Sequence, residues 1–257
     1  MVGSGHTRQK AGGFSLIELM IALVAGLIVV GAVLAFTLSS LRSNTQMVQA
    51  ARLSQELRSS MDYVSRELRR AGYDEDALRY YSQTVSGTVV SSPFAALLVS
   101  NPSPAVDACI IYAYDRQPGT AGAVQLSNGE IRGIRRMVRN GVGVIEVAES
   151  AAGVTPACNG SSPNYGTYPA SCASSGWCAL SDPRTVDITQ FIVTTNNSFT
   201  IPATGNTTPL TVRSLGVTFR ANLIGQLDVV RTVSTRIRVR ADCLQSGAAC
   251  NTAPTGT

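Results

Sequence analysis

The sequence predicts an α+β chain: one long amino-terminal helix, then a head built on an antiparallel β-sheet. Three observations predict it. Twenty residues from Leu19 to Leu38 carry no charge, and Thr37 is the only polar residue among them. Leu53, Leu57, Met61, Val64 and Leu68 then recur at spacings of four, four, three and four, the apolar stripe of an amphipathic helix. From Cys109 onward, short apolar runs alternate with turn residues, and the last third has a period of two, which predicts antiparallel strands with one face on a core.

The helix is expected over residues 14–72. No proline interrupts it. Twenty helical residues span roughly 30 Å, the hydrocarbon thickness of a bilayer, so the stretch 16–38 is read as a transmembrane span. Gly26 and Gly31 lie inside it, five apart, which is not a G-x-x-x-G motif. They either let this part of the helix loosen or give neighbouring helices room to pack. The stripe from Leu53 to Leu68 is core-facing and should carry the head. Arg66, Arg69 and Arg70 suit the negative end of the helix dipole, and Gly72 is placed to cap it.

Residues 73–257 form the head. Strands are expected at Ala105–Asp115, Glu130–Arg139 and Val142–Val147, the last two joined at Asn140-Gly141, a strong hairpin signal. Arg132, Arg135, Arg136 and Arg139 fall in one of these strands. Without interleaved aromatics they read as a solvated strand face rather than a nucleic-acid patch. Residues 149–183 are rich in Ser, Gly, Ala, Pro and Asn, and carry Cys158, Cys172, Cys178, Tyr165, Tyr168 and Trp177. They read as a long stapled loop, with Trp177 either on a contact surface or covering the sheet. Strands return at Val186–Thr194, at Leu215–Arg220 and at Asp228–Arg240.

Function classes are bounded by what the chain holds. The only histidine, His6, precedes the apolar run, so a Ser-His-Asp or Cys-His site is not expected in the head. The cysteine spacings are not those of zinc pairs, and no P-loop occurs. An enzyme, a cofactor and a metal are therefore not expected. Of 257 residues, 21 are basic and 16 acidic, for a net charge of +5. That is weak support for nucleic acid as a partner. The six cysteines suit disulfides in an oxidising compartment. Sequence proximity pairs Cys243 with Cys250. It places another bond within Cys158, Cys172 and Cys178, leaving the third for Cys109.

The junction ahead of the span is the most specific feature. Arg8 and Lys10, with no acid, precede Gly13-Phe14, and Glu18 follows the Phe by four residues. A secretory signal would be cut after its apolar core, near Ala32 or Ala35. A plain anchor would not explain an acid at the membrane edge. The constellation resembles the class III signal of type IV prepilins and type II secretion pseudopilins. That resemblance implies a type IV pilin-like fold and a leader of residues 1–13 removed by a membrane peptidase after Gly13. It further implies N-methylation of Phe14, and an assembly role for Glu18, which would neutralise the Phe14 amine of a neighbouring subunit. Loss of the leader would reduce the net charge to about +3. The stretch Arg66-Glu67-Leu68-Arg69-Arg70-Ala71-Gly72-Tyr73 is similar to the PilW group of minor pilins. Many of that group place a cysteine shortly after the Gly-Tyr, where this chain has Asp74-Glu75-Asp76.

The resemblance implies a minor pilin that helps start pilus assembly near the tip. Its partners would be other minor and major pilins, the prepilin peptidase and the assembly platform. The protein would sit in the bacterial inner membrane with a periplasmic head, then in the filament. Two alternatives share the same residues: a type II secretion pseudopilin of the J type, and a pilus subunit that binds DNA or a surface.

Overall fold

The computed structural model describes residues 13, 15–77, 84–85, 88–89, 92–116, 129–166, 169–204, 209–244 and 250–254. Residues 1–12, Phe14 and Tyr168 lie outside them. The chain divides into two compact units, Met1–Gln49 and Ala50–Thr257. Helix α1 (Leu16–Arg70) contributes to both.

In the first unit the described structure is helix from Leu16 on. It runs unbroken through Gly26 and Gly31. Thr37 donates its hydroxyl to the Val33 carbonyl at 2.8 Å, and Thr45 to that of Leu41 at 2.9 Å. The polar atom in the apolar stretch is thus satisfied within the helix, as a lipid environment requires.

The second unit holds the distal part of α1 and twelve strands among the described residues. Strands β1 (Thr84–Val85) and β2 (Thr88–Val89) pair antiparallel. A 3₁₀ turn at Pro93–Ala95 follows, with the Ser92 hydroxyl accepting from the Phe94 amide. Then come β3 (Leu97–Ser100), β4 (Cys109–Ala113), β5 (Ile131–Arg139), β6 (Val142–Glu149) and β7 (Trp177–Ala179), an antiparallel sheet in sequence order. Strands β8 (Val186–Thr194), β11 (Ser214–Leu223) and β12 (Gln226–Arg238) make a second antiparallel sheet in the order β12-β11-β8. Between them in sequence, β9 (Phe199–Ile201) and β10 (Leu210–Val212) pair with each other.

The β5–β6 turn uses Asn140 at φ 52° and Gly141 at φ 81°. Two successive positive φ angles are what a tight hairpin turn needs, and Asn-Gly supplies them. Register follows, from Arg139 opposite Val142 to Arg132 opposite Glu149. Gly143 is required for a different reason. A Cβ there would collide with the Ile188 carbonyl, where β8 crosses β6.

One core joins the helix stripe to both sheets. Leu53, Leu57, Met61, Val64 and Leu68 pack with Ile110, Tyr112, Ile134 and Ile145 of the five-stranded sheet and with Ile188, Phe191, Val217, Phe219 and Ile237 of the other. The alternating burial of β8 and β11 matches the period-two reading. All five residues of β4 are buried instead, because a second cluster covers the outer face of its sheet: Phe94, Cys109, Ile111, Ala113, Ile131, Ala148 and Trp177.

Two sequence expectations need correction. The stretch 149–183 is not all loop. Trp177–Ala179 extends the sheet, with Ala148 opposite Trp177 and Glu146 opposite Ala179. Three residues inside a Gly/Ser-rich segment carry too little periodicity to be recognised as a strand. The arginines of β5 are not a solvated face either. Arg135 is 1% exposed, on the outer side of the sheet, where Cys158, Gly160 and Trp177 cover it.

Candidate functional site

Glu18 lies in the first turn of α1 and is exposed. Ser15 opens the helix with its carbonyl, which accepts from the amides of Glu18 at 3.0 Å and Leu19 at 3.2 Å. An acid in the first turn faces the positive end of the helix dipole. Gly13 is exposed ahead of it, and its partner in the expected junction, Phe14, lies outside the described residues. Beyond Glu18, an apolar window of mean hydropathy 2.9 has none of its residues buried. Leu16, Leu27 and Phe36 are 80%, 65% and 77% exposed. Such a surface demands a cover of lipid or of other apolar helices.

At its other end the helix is pinned by a carboxylate. Glu67 is buried on α1. It accepts from the Tyr112 hydroxyl at 3.2 Å and the Tyr114 hydroxyl at 3.5 Å. Arg70 approaches it at 3.4 Å and Arg132 at 3.6 Å. Arg132 also stacks over the Tyr114 ring and pairs with Glu149 at 2.9 Å. Burial pushes the Tyr112 hydroxyl well above the usual phenol range, with Glu67 adding to it. The Tyr112 phenol therefore stays protonated and acts as a donor to Glu67. The helix ends at Gly72, φ 79°, where a Cβ would meet Ala241 and Arg213 at 2.7 and 2.9 Å.

The outer face of the five-stranded sheet is organised by Arg135. Its guanidinium pairs with the fully buried Glu146 at 2.6 Å. It lies 4.0 Å over the Trp177 ring. It also donates to the carbonyls of Cys158 and Gly160, both at 2.8 Å. Tyr165 and Ser162 complete the shell of Glu146 at 2.9 and 3.1 Å. Burial lowers the pKa of Arg135 and, with Glu146 adding to it, raises that of Tyr165. Among the described residues, these bonds hold the segment down on the sheet. Trp177 covers the sheet, and its indole N–H donates to the Ala157 carbonyl at 3.0 Å.

Disulfides join Cys109 to Cys158, Cys172 to Cys178, and Cys243 to Cys250. The first staples the same covering segment to β4. Sequence reasoning missed Glu67, Glu146 and Arg213 as organising residues. Arg213 is buried and donates to the carbonyls of Ala95 at 2.6 Å and Ala241 at 2.9 Å; burial brings its pKa down to about 10. The one signal available was an acid, Glu146, standing in an apolar strand run.

Two family models match the chain. Residues 46–239 match the family described as prepilin peptidase-dependent protein B. Residues 8–34 match the prokaryotic N-terminal methylation motif. No curated relative matches the chain. Among solved structures, a type IV-like pilin from Thermus thermophilus is similar at 14% identity, over 73% of this chain and 97% of that one, with a TM-score of 0.34.

Proposed function

The chain belongs to the prepilin peptidase-dependent protein B family, and from that premise we propose that it is a minor pilin that helps start assembly of a type IV pilus near its tip. The observation that carries this reading is the junction: Gly13-Phe14 and Glu18 stand directly ahead of an apolar helix with none of its window buried. In this proposal a prepilin peptidase cuts after Gly13 and the Phe14 amine is methylated. The span holds the subunit in the inner membrane, with the head in the periplasm, until the subunit joins the filament. Neighbouring pilins then replace lipid around the apolar helix. Glu18 sets register by meeting the Phe14 amine of an adjacent subunit, since a charge in such surroundings is tolerated only when paired.

The role is structural. It is supported by the buried Arg135–Glu146 cluster, which holds the covering segment on the sheet, and by the three disulfides, which suit an oxidising compartment. Amino-terminal mass spectrometry of protein extracted from membranes tests the processing. The expected mature start is N-methylated Phe14. A start after Ala32 or Ala35 would overturn the reading in favour of a secretory signal.

A further inference from the structure

A cleft of about 860 Å³ lies between the distal part of α1 and strand β12, within the head unit. On the helix side it is lined by Met61, Asp62, Ser65, Arg66 and Arg69; on the strand side by Val233, Ser234 and Thr235, with Arg240 beyond. Successive strand residues point to opposite faces of a sheet. A cleft lined by three in a row therefore runs along the edge of the strand, not over one face. That edge is open. Strand β12 is the last of its sheet and pairs only with β11. Beyond its ladder with β11 and the Arg231 Nη1 bond to the Val230 carbonyl, no bond to the β12 backbone is seen among the described residues.

The charges of the cleft are unbalanced. Arg70 is engaged with Glu67, and Asp74 accepts from the Ser92 hydroxyl and the Asp76 amide. Arg66, Arg69 and Arg240 have no ion pair among the described residues, and all three are exposed. Natural edges of this length are usually blunted or covered, because unpaired backbone groups recruit another strand. Here an open edge coincides with three unpaired guanidinium groups and an apolar floor of Met61 and Val233.

We propose that this cleft binds an extended acidic segment of a partner protein, which adds to β12 as a strand and places carboxylates against Arg66, Arg69 and Arg240. Backbone pairing gives affinity and alternate side chains give selection, as in other strand additions. A nucleic acid fits less well. Asp62 and Asp74 also line the cleft and would face its phosphates, whereas a peptide can direct apolar side chains past them. The inference concerns the head alone and does not depend on the pilus reading.

The test uses the full-length protein in detergent and a short fluorescent peptide alternating valine with glutamate. Saturable binding is expected, weakening with salt. The double variant Arg69→Glu with Arg240→Glu should bind about tenfold more weakly or worse, because like charges then face each other. The same peptide N-methylated at alternate residues keeps its charge but cannot pair as a strand, and should lose binding to the unaltered protein. A lysine version should not bind. Equal binding of the N-methylated peptide would overturn the proposal, as would no saturable binding at all. Displacement of the peptide by a tighter-binding single-stranded DNA would overturn it in favour of a nucleic-acid partner.

Discussion

The two stretches of α1 have the same backbone and opposite fates. Residues 16–48 are exposed throughout, although they are the most apolar part of the chain. Residues 50–70 are far more polar, yet five of their apolar side chains are at most 4% exposed. Hydrophobicity alone therefore does not decide burial within this chain. Pattern decides it. A stripe at helical spacing can be covered from one side by two sheets. An all-round apolar surface needs a surrounding medium, and a head of this size has no second layer to offer. The first stretch is an element built for an environment outside the subunit, and the second is an ordinary core helix.

The sharpest way to break this contrast is at Glu18, the one ionisable residue beside the apolar window. Under the proposed processing, Glu18→Ala should leave cleavage and insertion unchanged, since the proposed cleavage would read the Gly13-Phe14 junction and insertion the apolar run. Surface pili and crosslinks to partner pilins should fall to a small fraction of the normal level, and Glu18→Asp should restore part of them. Complementation of a null strain, scored for cleavage, crosslinking and pili at matched expression, checks it. Normal pili with Glu18→Ala would show that this end of the helix needs no charge partner.

The next effect compares one substitution in both stretches. Leu57 is fully buried and Leu27 is 65% exposed. Leu57→Ala should destabilise the head by about 2–5 kcal/mol. Leu27→Ala should change head unfolding by no more than about 0.5 kcal/mol. Denaturant melts followed by the fluorescence of Trp177, which is buried in the head, report on the relevant unit. Similar losses at both positions would mean that the first stretch is coupled to the head core.

Smaller again is the contribution of the carboxylate at the helix end. Glu67→Leu removes the acceptor of two buried phenols and one partner of Arg132. An unsatisfied buried polar group costs about 1–3 kcal/mol, so the melt should shift by an amount in that range. Tyr112→Phe made in the Glu67→Leu background should cost less than Tyr112→Phe alone, because the bond it removes is already gone. Additive losses would show that the network does not act as a unit.

Much of the fold is legible in the sequence, for identifiable reasons. The helix, its stripe, its Gly72 end and the Asn140-Gly141 hairpin depend on residues within one or two turns of each other. The methylation motif matched over residues 8–34 is equally local. What the sequence hides depends on distant partners. Arg135 meets Glu146 across a hairpin and meets Trp177 through a third strand, so its burial is invisible in a run of four arginines. Glu67 sits among Arg66, Arg69 and Arg70 and looks like one more surface charge; its phenol partners are 45 and 47 residues away. The cleft joins Arg66 and Arg69 to Arg240 across most of the head.

The smallest predicted effect tests how tightly the second stretch is held near its start. Glu56 on α1 accepts from the Asp182 amide at 3.1 Å and the Thr185 hydroxyl at 3.4 Å. Burial raises its pKa above the ordinary carboxylate value of 4.5, and the Asp182 charge adds to the rise, outweighing the two hydrogen bonds. A raised carboxylate pKa means that the folded state binds the proton more tightly than the unfolded chain. The folded state is then favoured by this group below pH 4.5, and that advantage is lost as the pH rises through the higher folded-state value. At neutral pH the charged Glu56 is a slight liability. Glu56→Gln keeps an acceptor oxygen and removes the charge, so it should be slightly more stable than the parent at pH 7. The difference should shrink as the pH falls towards 4 and vanish below it. Denaturant midpoints measured across that range check the slope. A difference that stays constant with pH would mean that Glu56 is solvated, and that its contacts with Asp182 and Thr185 do not hold the start of the second stretch.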